Sequence, residues 1–377
     1  MSSDLVEQTT ALRRPTGLRA INPAKAYDGY TLIAPSFGGT TTRLIDLQGN
    51  EVHRWELPWP PGLGSVITDR QTLLCSGRIV DDQPFLGRAP FKGGVVAEVG
   101  WDGDVLWEVR HPSHHHDAIL LRNGNVLLLG LGQVPADVAA RVRGGIGADG
   151  APMFADTVVE MTTTGGIVWE WRSWEHLDVD VDRIGPGPMD RIEWTHGNGL
   201  AELPGGDILV SMRQISTVLR IDRTTGTIRQ RIGAGELAGQ HSPWLTGAST
   251  VLVYDNGFNR ADGWPPYSRA VEFDLATGEE VWAYTDPVRW DFFSALQSSV
   301  QRLPNDNTLI CEGLTGRIFE ITTDGEVVWE YTNPYAVTSP TDPDGVRSNR
   351  MFRAFRYGRE QLGPLAGSPT EKELIQP

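Results

Sequence analysis

Short runs of hydrophobic residues alternate with polar turns along most of the chain, and one such unit recurs six times. Each copy has a short apolar strand, a turn that contains glycine, and a second strand that usually ends near a tryptophan. The copies lie at residues 44–55, 98–107, 160–169, 220–229, 272–282 and 320–329. Because glycine adopts the positive φ that tight hairpin turns require, each copy is predicted to be a β-hairpin.

A second repeated unit lies between these hairpins and is also predicted to form two strands joined by a polar turn. Its copies lie at residues 65–74, 116–129, 196–211, 241–254 and 298–311, with a weaker copy at residues 27–35. Two hairpins make one four-stranded blade, and the spacing of the repeat is typical of such blades. The sequence therefore predicts an all-β protein, a six-bladed β-propeller.

Because the ring of blades is expected to close, the six repeats form one domain, which is predicted to span residues 27–361. Residues 1–26 form an N-terminal segment, part of which is expected to close the last blade so that no sheet edge stays exposed. Residues 131–156 and 173–194 are too long and too rich in glycine, proline and aspartate for hairpin turns, and are predicted insertions. Residues 362–377 are expected to be a loosely ordered tail.

The tryptophans at the hairpin ends recur in register, which favours packing between blades over ligand binding. They are Trp55, Trp107, Trp169, Trp282 and Trp329. The two cysteines, Cys75 and Cys311, are expected to be small buried hydrophobic residues and not nucleophiles. They are too few for a disulfide scaffold, which favours a reducing cytoplasm.

The amino-acid composition disfavours some classes of binding partner. Among 377 residues, 33 Lys and Arg against 48 Asp and Glu give a formal net charge of −15. This charge disfavours binding to nucleic acid or to an anionic membrane. Residues 1–18 hold no apolar stretch, and no run of about 18 apolar residues occurs anywhere, so neither a secretory signal nor a membrane span is predicted. We expect a cytoplasmic globular protein.

Three of the 8 histidines begin inner hairpins of different blades. The inner strands of a propeller begin near its central channel, so His116, His196 and His241 are expected to converge there in an active site. A lone histidine is more often structural, but three at equivalent positions favour a functional site. Asn198, on the same strand face as His196, and Arg213, whose planar guanidinium suits an oxyanion, belong to this candidate site.

The order of these motifs resembles that of the bacterial arylsulfate sulfotransferase family. The matching segments are His115-His116-Asp117, then His196-Gly197-Asn198 with Ser211-Met212-Arg213 downstream, then Gln240-His241 followed by Tyr254-Asp255-Asn256-Gly257. The resemblance covers about residues 40–357. It implies a six-bladed propeller that moves a sulfuryl group from a phenolic sulfate to a phenol, without a nucleotide donor, through a sulfated histidine.

The resemblance also implies a role for each matching position. His241 would be the nucleophile, and the other catalytic residues would be His196, His116 and Arg213. Arg213 and a protonated His196 would stabilise the charge that develops on the transferred group and on the departing phenoxide. The substrate-binding residues would be His115, Asn198, Asp255 and Asn256. The well-known members carry an extra N-terminal domain, and this chain resembles a short form without it.

A separate candidate for substrate binding is Arg350, in a cluster of arginines at residues 347–353 that follows the sixth hairpin. There the chain is expected to cross the mouth of the channel, where a cation could bind an anionic substrate.

Two other functions fit the same residues. His116, His196 and His241 could instead bind one transition metal ion and catalyse hydrolysis, elimination or oxidation of a small aromatic or anionic substrate. Arg213 disfavours this alternative because a fixed cation repels a metal ion. The chain could also be a non-catalytic propeller that presents one face to a protein partner. The preferred interpretation needs no cofactor and takes a small, aromatic substrate.

Overall fold

The computed structural model of the protein describes residues 15–36, 39–81, 85–148, 150–187, 189–261, 264–338, 345 and 347–363. It contains six antiparallel sheets of four or five strands, one for each predicted repeat, and a separate two-stranded ribbon, and nearly all of its regular structure is β. The sheets are the blades of a six-bladed β-propeller, which confirms the predicted fold class. Residues 1–14 of the expected N-terminal segment and residues 364–377 of the expected tail lie outside the described residues.

The strands follow one another blade by blade. The first is β1 (Gly17–Ile21), followed in blade one by β2 (Gly29–Pro35), β3 (Thr41–Ile45) and β4 (Glu51–Glu56). Blade two contains β5 (Pro61–Ile67), β6 (Leu73–Arg78), β7 (Gly94–Val99) and β8 (Val105–Arg110). Blade three contains β9 (His114–Leu120), β10 (Val126–Gln133), β11 (Phe154–Met161) and β12 (Ile167–Arg172).

The second half of the ring has the same organisation. Blade four contains β13 (Gly197–Glu202), β14 (Ile208–Met212), β15 (Thr217–Ile221) and β16 (Ile228–Ile232). Blade five contains β17 (His241–Leu245), β18 (Thr250–Asp255), β19 (Arg269–Asp274) and β20 (Glu280–Tyr284). Blade six contains β21 (Ser299–Arg302), β22 (Thr308–Glu312), β23 (Arg317–Ile321) and β24 (Val327–Thr332). A short ribbon of β25 (Val337–Thr338) and β26 (Arg347–Ser348) precedes β27 (Met351–Gly358).

Helices are few and short. The described residues include one α-helical turn, α1 (Ala136–Ala139), and 3₁₀ turns at Leu86–Arg88, Ser173–Glu175, Arg289–Asp291 and Arg359–Gln361. Within the described ranges, no helix has both the length and the apolar character that crossing a membrane requires.

The predicted outer hairpins are the third and fourth strands of the six blades. Their turn glycines all have a positive φ, between 73° and 93°, as predicted: Gly49, Gly103, Gly165, Gly226, Gly278 and Gly325. The second strand of each blade is almost wholly buried, whereas the fourth leaves most of its side chains at least partly exposed. The hydrophobic core therefore lies between neighbouring blades.

Tryptophan side chains on the outer strand of one blade form hydrogen bonds to the neighbouring blade. The indole N–H of Trp55 donates to the carbonyl of Gly100 at 3.0 Å, and that of Trp329 donates to the carbonyl of Leu47 at 2.7 Å. Both indoles are buried, as predicted for packing between blades. The predicted core tryptophans Trp107, Trp169 and Trp282 are only half-buried.

The ring is closed by a strand that the repeats did not predict. β27, near the C-terminus, pairs with β2 and is the innermost strand of blade one, so residues 27–35 do not form an inner hairpin by themselves. β1 pairs with β24 and adds a fifth strand to blade six. A repeat that is split between the two ends of the chain cannot be recognised by comparing consecutive segments. Leu362, the first residue of the expected tail, is buried against this closure.

The two predicted insertions pack against each other. Short bridges join Ile146 to Asp190 and Phe154 to Glu193. The guanidinium of Arg191 donates to carbonyl groups of the first insertion at 2.8–3.1 Å. These contacts fix the segment that leads into β13, where the candidate site begins.

Candidate functional site

Irregular backbone at the start of the inner strands positions the candidate residues. His116 and His196 both have a φ of 50°, and Ser242, next to His241, has a φ of 56°. The register of the inner strand also shifts at these places, between β9 and β10, β13 and β14, and β17 and β18. Residues other than glycine rarely adopt this left-handed conformation, and such strain is concentrated at functional sites.

These irregular starts bring three buried imidazoles together. The ring centroids of His116 and His196 are 4.8 Å apart, and the rings are nearly perpendicular. The ring of Phe352, on β27, lies 5.8 Å from that of His116 and 6.4 Å from that of His241. Phe91 stacks on His116 at 4.7 Å and contacts the edge of His196. The imidazoles therefore lie in a largely apolar environment.

The orientation of His241 follows from a single neighbour. Its Nδ1 lies 2.7 Å from Oδ1 of Asn256. The amide nitrogen of Asn256 donates to the carbonyl groups of Ser294 at 2.7 Å and Gln297 at 3.0 Å, which fixes which amide atom faces the histidine. Because Oδ1 can only accept, Nδ1 of His241 carries the hydrogen. In the neutral imidazole, Nε2 therefore carries the lone pair, and no described residue hydrogen-bonds to it.

His196 is held by a buried carboxyl group. Its Nδ1 lies 2.8 Å from Oε2 of Glu193, and both side chains are more than nine-tenths buried. Burial first, and then the positive charge of Arg213, lower the pKa of His196 well below the ordinary value. The expected protonated His196 is therefore not the form that this environment favours, because a second cation beside Arg213 is repelled.

His115 lies behind His116. Nε2 of His115 donates to the carbonyl of Gly130 at 3.1 Å and lies 3.1 Å from Oδ1 of Asp156. Its Nδ1 is 2.8 Å from Nδ1 of His116, so one of these nitrogens donates to the other. His115 is therefore a support for His116, and both rings are buried.

Arg213 is a partly buried cation that forms no ion pair with the residues that the structure describes. Its Nε has no hydrogen-bond partner there, and its guanidinium lies 5.1 Å from the ring centroid of Phe258. Burial lowers the pKa of Arg213, but a guanidinium remains protonated in proteins. Burial is the first cause that lowers the pKa of His241, and the charge of Arg213 is the second. A cation that has no ion-pair partner and lies beside neutral imidazoles forms a binding site for an anion.

A second arginine joins the closing strand to the site. Arg353, on β27, donates to Oδ1 of Asp117 at 2.8 Å and to the carbonyl of Asn198 at 2.6 Å. The other carboxylate oxygen of Asp117 accepts the amide of Leu200 at 2.9 Å. Nδ2 of Asn198 donates to the carbonyl of Gln240 at 2.8 Å, which ties blade four to the residue before His241.

The structure places two predicted substrate-binding residues away from the imidazoles. Asp255 is fully buried, pairs with Arg260 and Arg269, and accepts the amide of Ala238 at 2.8 Å, so it holds the turn that presents Asn256. Arg350 is exposed, and its contacts with described residues run through its backbone, because it lies before β27 begins. Arg353, three residues later, is the arginine that reaches the site.

Several residues of the site were missed by sequence reasoning: Phe91, Asp156, Glu193, Phe352 and Arg353. Glu193 lies three residues before His196, and this short spacing is the one signal that pointed to it. The others come from segments outside the repeated inner hairpins, so repeat register could not select them.

A cleft of about 950 Å³ lies beside the histidines, between the two insertions. Its lining includes Phe85, Met153, Phe154 and Ile192, and Phe85 stacks on Phe154 at 5.1 Å. Phe91, 6.4 Å from Phe85, separates this cleft from His116 and His196. The insertions therefore flank the site.

In the part of the chain that the structure describes, no three His, Cys, Asp or Glu side chains are grouped so that they could hold a metal ion. Cys75 and Cys311 are buried and free, and burial raises the pKa of Cys75 to about 12, so neither is an activated nucleophile. The arrangement is that of an anion site beside several imidazoles, and the asparagine contact fixes the lone pair of one of them, His241, on Nε2.

A comparison with known families finds a match that includes the candidate site. A family model described as Arylsulfotransferase (ASST) matches residues 104–238 and 236–333, which contain all three imidazoles and Arg213. An arylsulfate sulfotransferase, AssT of Escherichia coli O6:H1, is 29% identical over 91 residues. That match covers 22% of this chain and 15% of the E. coli protein, so it spans a small part of the relative's length.

Two solved structures are similar to this chain to different degrees. A protein of unknown function from Bacteroides caccae is 15% identical with a TM-score of 0.54, and the match covers 87% of this chain and 98% of that one. A virginiamycin B lyase from Staphylococcus aureus is 16% identical with a TM-score of 0.41, covering 72% of this chain and 70% of that one. The first likeness concerns the fold alone, and the second score is too low to support a statement about this chain.

Proposed function

Because the chain belongs to the arylsulfotransferase family, we propose that it transfers a sulfuryl group between small phenolic compounds, with His241 as the nucleophile. Family membership supports sulfuryl transfer in general. The E. coli relative is an arylsulfate sulfotransferase, which supports a phenolic sulfate as the donor. We further propose that the reaction needs no nucleotide and no metal ion, and that the protein acts in the cytoplasm.

The orientation of Asn256 is the observation that carries the choice of His241. Its amide nitrogen is committed to the carbonyl groups of Ser294 and Gln297, so its oxygen keeps the hydrogen of His241 on Nδ1. Nε2 then offers a lone pair. Burial and Arg213 lower the pKa of this imidazole, so the lone pair stays unprotonated at neutral pH. A neutral imidazole in this tautomer is a competent nucleophile.

The proposed first half-reaction forms a bond between Nε2 of His241 and sulfur. The bond between sulfur and the phenolic oxygen breaks, and its electron pair stays on that oxygen. Arg213 neutralises charge on the sulfuryl oxygens, because its guanidinium forms no ion pair with the described residues and its Nε is free of hydrogen bonds there. In the second half-reaction a phenol oxygen attacks sulfur, and the electron pair of the nitrogen–sulfur bond returns to His241. Positioning and charge stabilisation supply most of the rate for such group transfers.

The test is transfer from para-nitrophenyl sulfate to phenol, measured in the presence of a chelator with the unchanged protein and with His241→Ala. We expect the unchanged protein to release nitrophenol and form phenyl sulfate. His241→Ala should lower kcat by at least about 10³-fold, because the covalent route is lost. Matched circular dichroism spectra and melting curves confirm that the variant is folded.

His176→Ala is the matched control, because His176 is exposed and stacks on the outer-strand residue Trp171 at 5.1 Å, in a region remote from the imidazole cluster. This variant should keep the kcat of the unchanged protein. Transfer that His241→Ala leaves intact, or activity that appears only when a metal is added back, would contradict the proposal.

A further inference from the structure

Two buried carboxyl groups lie behind the imidazoles, and their environments differ. Oδ2 of Asp156 accepts the backbone amide of Gly197 at 2.7 Å and the hydroxyl of Thr195, and its Oδ1 lies 3.1 Å from the ring nitrogen of His115. Within the described ranges, the carboxyl group of Glu193 has one hydrogen-bond partner, Nδ1 of His196, and its Oε1 is buried without a hydrogen bond. A buried carboxylate with a single partner is unfavourable, so the environment favours the neutral acid at Glu193.

The charges that face Glu193 from neighbouring elements act in both directions. Asp156 on β11 and Asp190 on its own segment are negative, whereas His115 on β9 and Arg213 after β14 oppose them. Burial first, and then Asp156, raise the pKa of Glu193 to about 8. Burial would also raise the pKa of Asp156, but the contacts from His115, Thr195 and Gly197 outweigh it and lower that pKa. When the environments of two carboxyl groups move their pKa values apart, the group with the higher pKa acts as the acid.

We propose that Glu193 is a protonated carboxylic acid that donates to Nδ1 of His196 and thereby makes Nε2–H of His196 the proton donor to the departing phenoxide. The inference rests on the proposed function. His196 and His241 then have opposite tautomers. Glu193 keeps the hydrogen of His196 on Nε2, whereas Asn256 keeps the lone pair of His241 on Nε2. One imidazole donates while the other attacks.

The proton balance closes over the two half-reactions. When the oxygen–sulfur bond breaks, Nε2–H of His196 passes its proton to the phenolic oxygen. The proton of Glu193 moves to Nδ1 of His196, so Glu193 becomes a carboxylate. When the acceptor phenol attacks sulfur, its proton goes to Nε2 of His196, and the proton on Nδ1 returns to Glu193. Glu193 acts through His196 and is therefore a positioning residue.

Glu193→Gln separates this role from a structural one. The amide of glutamine still donates to Nδ1 and has almost the same shape, but it cannot release a proton. Nitrophenoxide leaves readily without a proton, whereas phenoxide, with a conjugate-acid pKa of about 10 like that of tyrosine, needs one. Because the acceptor phenol also passes its proton to His196, the two donors are compared in the first half-reaction alone, as the burst of phenol or nitrophenol released without an acceptor. We expect Glu193→Gln to keep the burst rate with para-nitrophenyl sulfate within about 3-fold and to lower the burst rate with phenyl sulfate by about 10²- to 10⁴-fold.

Glu175→Gln is the matched control, because Glu175 is an exposed carboxyl group of the same insertion. It should leave both donors unchanged. A merely structural Glu193 would give equal losses for the two donors in Glu193→Gln, or no loss with either, and both results would overturn the inference.

A second readout needs no activity. Nitrogen NMR shifts of isotope-labelled histidine, with His196 assigned from the spectrum of His196→Gln, report which ring nitrogen carries hydrogen. Hydrogen on Nε2 of His196 supports the inference, and hydrogen on Nδ1 overturns it. If the unchanged protein transfers no sulfuryl group but shows the Nε2–H form, the proposed function fails and the assignment of the proton at Glu193 stands.

Discussion

At the scale of single residues, burial decides which form each ionisable group takes. His116, His196 and His241 each have a pKa well below the ordinary 6.5, with burial as the first cause and neighbouring positive charge as the next. Three imidazoles packed beside Arg213 would repel one another if they were protonated. The site therefore concentrates its positive charge on one guanidinium and keeps its imidazoles free to donate hydrogen or to supply a lone pair.

This protonation pattern predicts the pH dependence of the reaction. A lowered pKa means that Nε2 of His241 stays unprotonated as the pH falls through 6.5. We expect kcat/KM for para-nitrophenyl sulfate to stay level from about pH 7.5 to about pH 5.5. With phenyl sulfate, kcat should fall as the pH rises through about 8, because Glu193 then loses its proton. Initial rates across this pH range measure both dependences. A loss of kcat/KM on the acid side, centred at the ordinary histidine pKa, would contradict the lowered pKa of His241.

At the same scale, the sequence could predict the residues that repeat and not those that support them. His116, His196 and His241 were selected because they begin equivalent inner hairpins. Glu193 and Asp156 lie in or beside the insertions, where no repeat fixes their position. Arg350 was chosen in place of Arg353 because the closing strand was not recognised, so the face of each arginine could not be assigned.

At the scale of elements, strand β27 both closes the ring and completes the site. Arg353 on this strand reaches Asp117, while Arg356 pairs with Glu320 of blade six in a fully buried contact. Arg356 also donates to Thr31 at 3.0 Å and lies over the ring of Trp329 at 4.3 Å. The same strand therefore links blades one and six and holds the backbone of Asn198 in place.

The buried pair gives a prediction about closure. Arg356→Leu leaves the carboxylate of Glu320 buried without its guanidinium partner, and we expect the free energy of unfolding to fall by about 3–5 kcal/mol. Urea denaturation followed by tryptophan fluorescence measures the change.

Arg359→Leu is the control, because its ion pair with Asp28 is largely exposed and such pairs contribute about 0–1 kcal/mol. Equal effects of the two substitutions would show that the buried pair has no special part in closing the ring.

The elements that the sequence predicted best are those whose turns demand glycine. The six outer hairpins and their turn glycines were predicted correctly because a positive φ leaves a clear signal in the sequence. The irregular starts of the inner strands were not predicted, since His116, His196 and Ser242 are not residues that favour a left-handed backbone. There the surrounding packing, and not local propensity, sets the conformation.

At the scale of the whole molecule, six repeats around a channel explain how residues more than a hundred positions apart can form one site. The fold could be predicted because each blade repeats the same hydrophobic pattern. Closure could not, because its strands come from opposite ends of the chain. The propeller brings together one cation and one proton donor from blade four and one nucleophile from blade five, and the closing strand donates to the backbone of Asn198 beside them.

The central claim is that His241 carries the sulfuryl group between donor and acceptor. The most direct measurement is mass spectrometry of peptides from protein that was incubated with para-nitrophenyl sulfate alone and quenched at alkaline pH, where a sulfated imidazole is preserved. We predict one sulfuryl group on the peptide that contains His241, removed when phenol is added before the quench and absent in His241→Ala. An unmodified His241 during active turnover, or a sulfuryl group on another residue that phenol removes, would contradict the account.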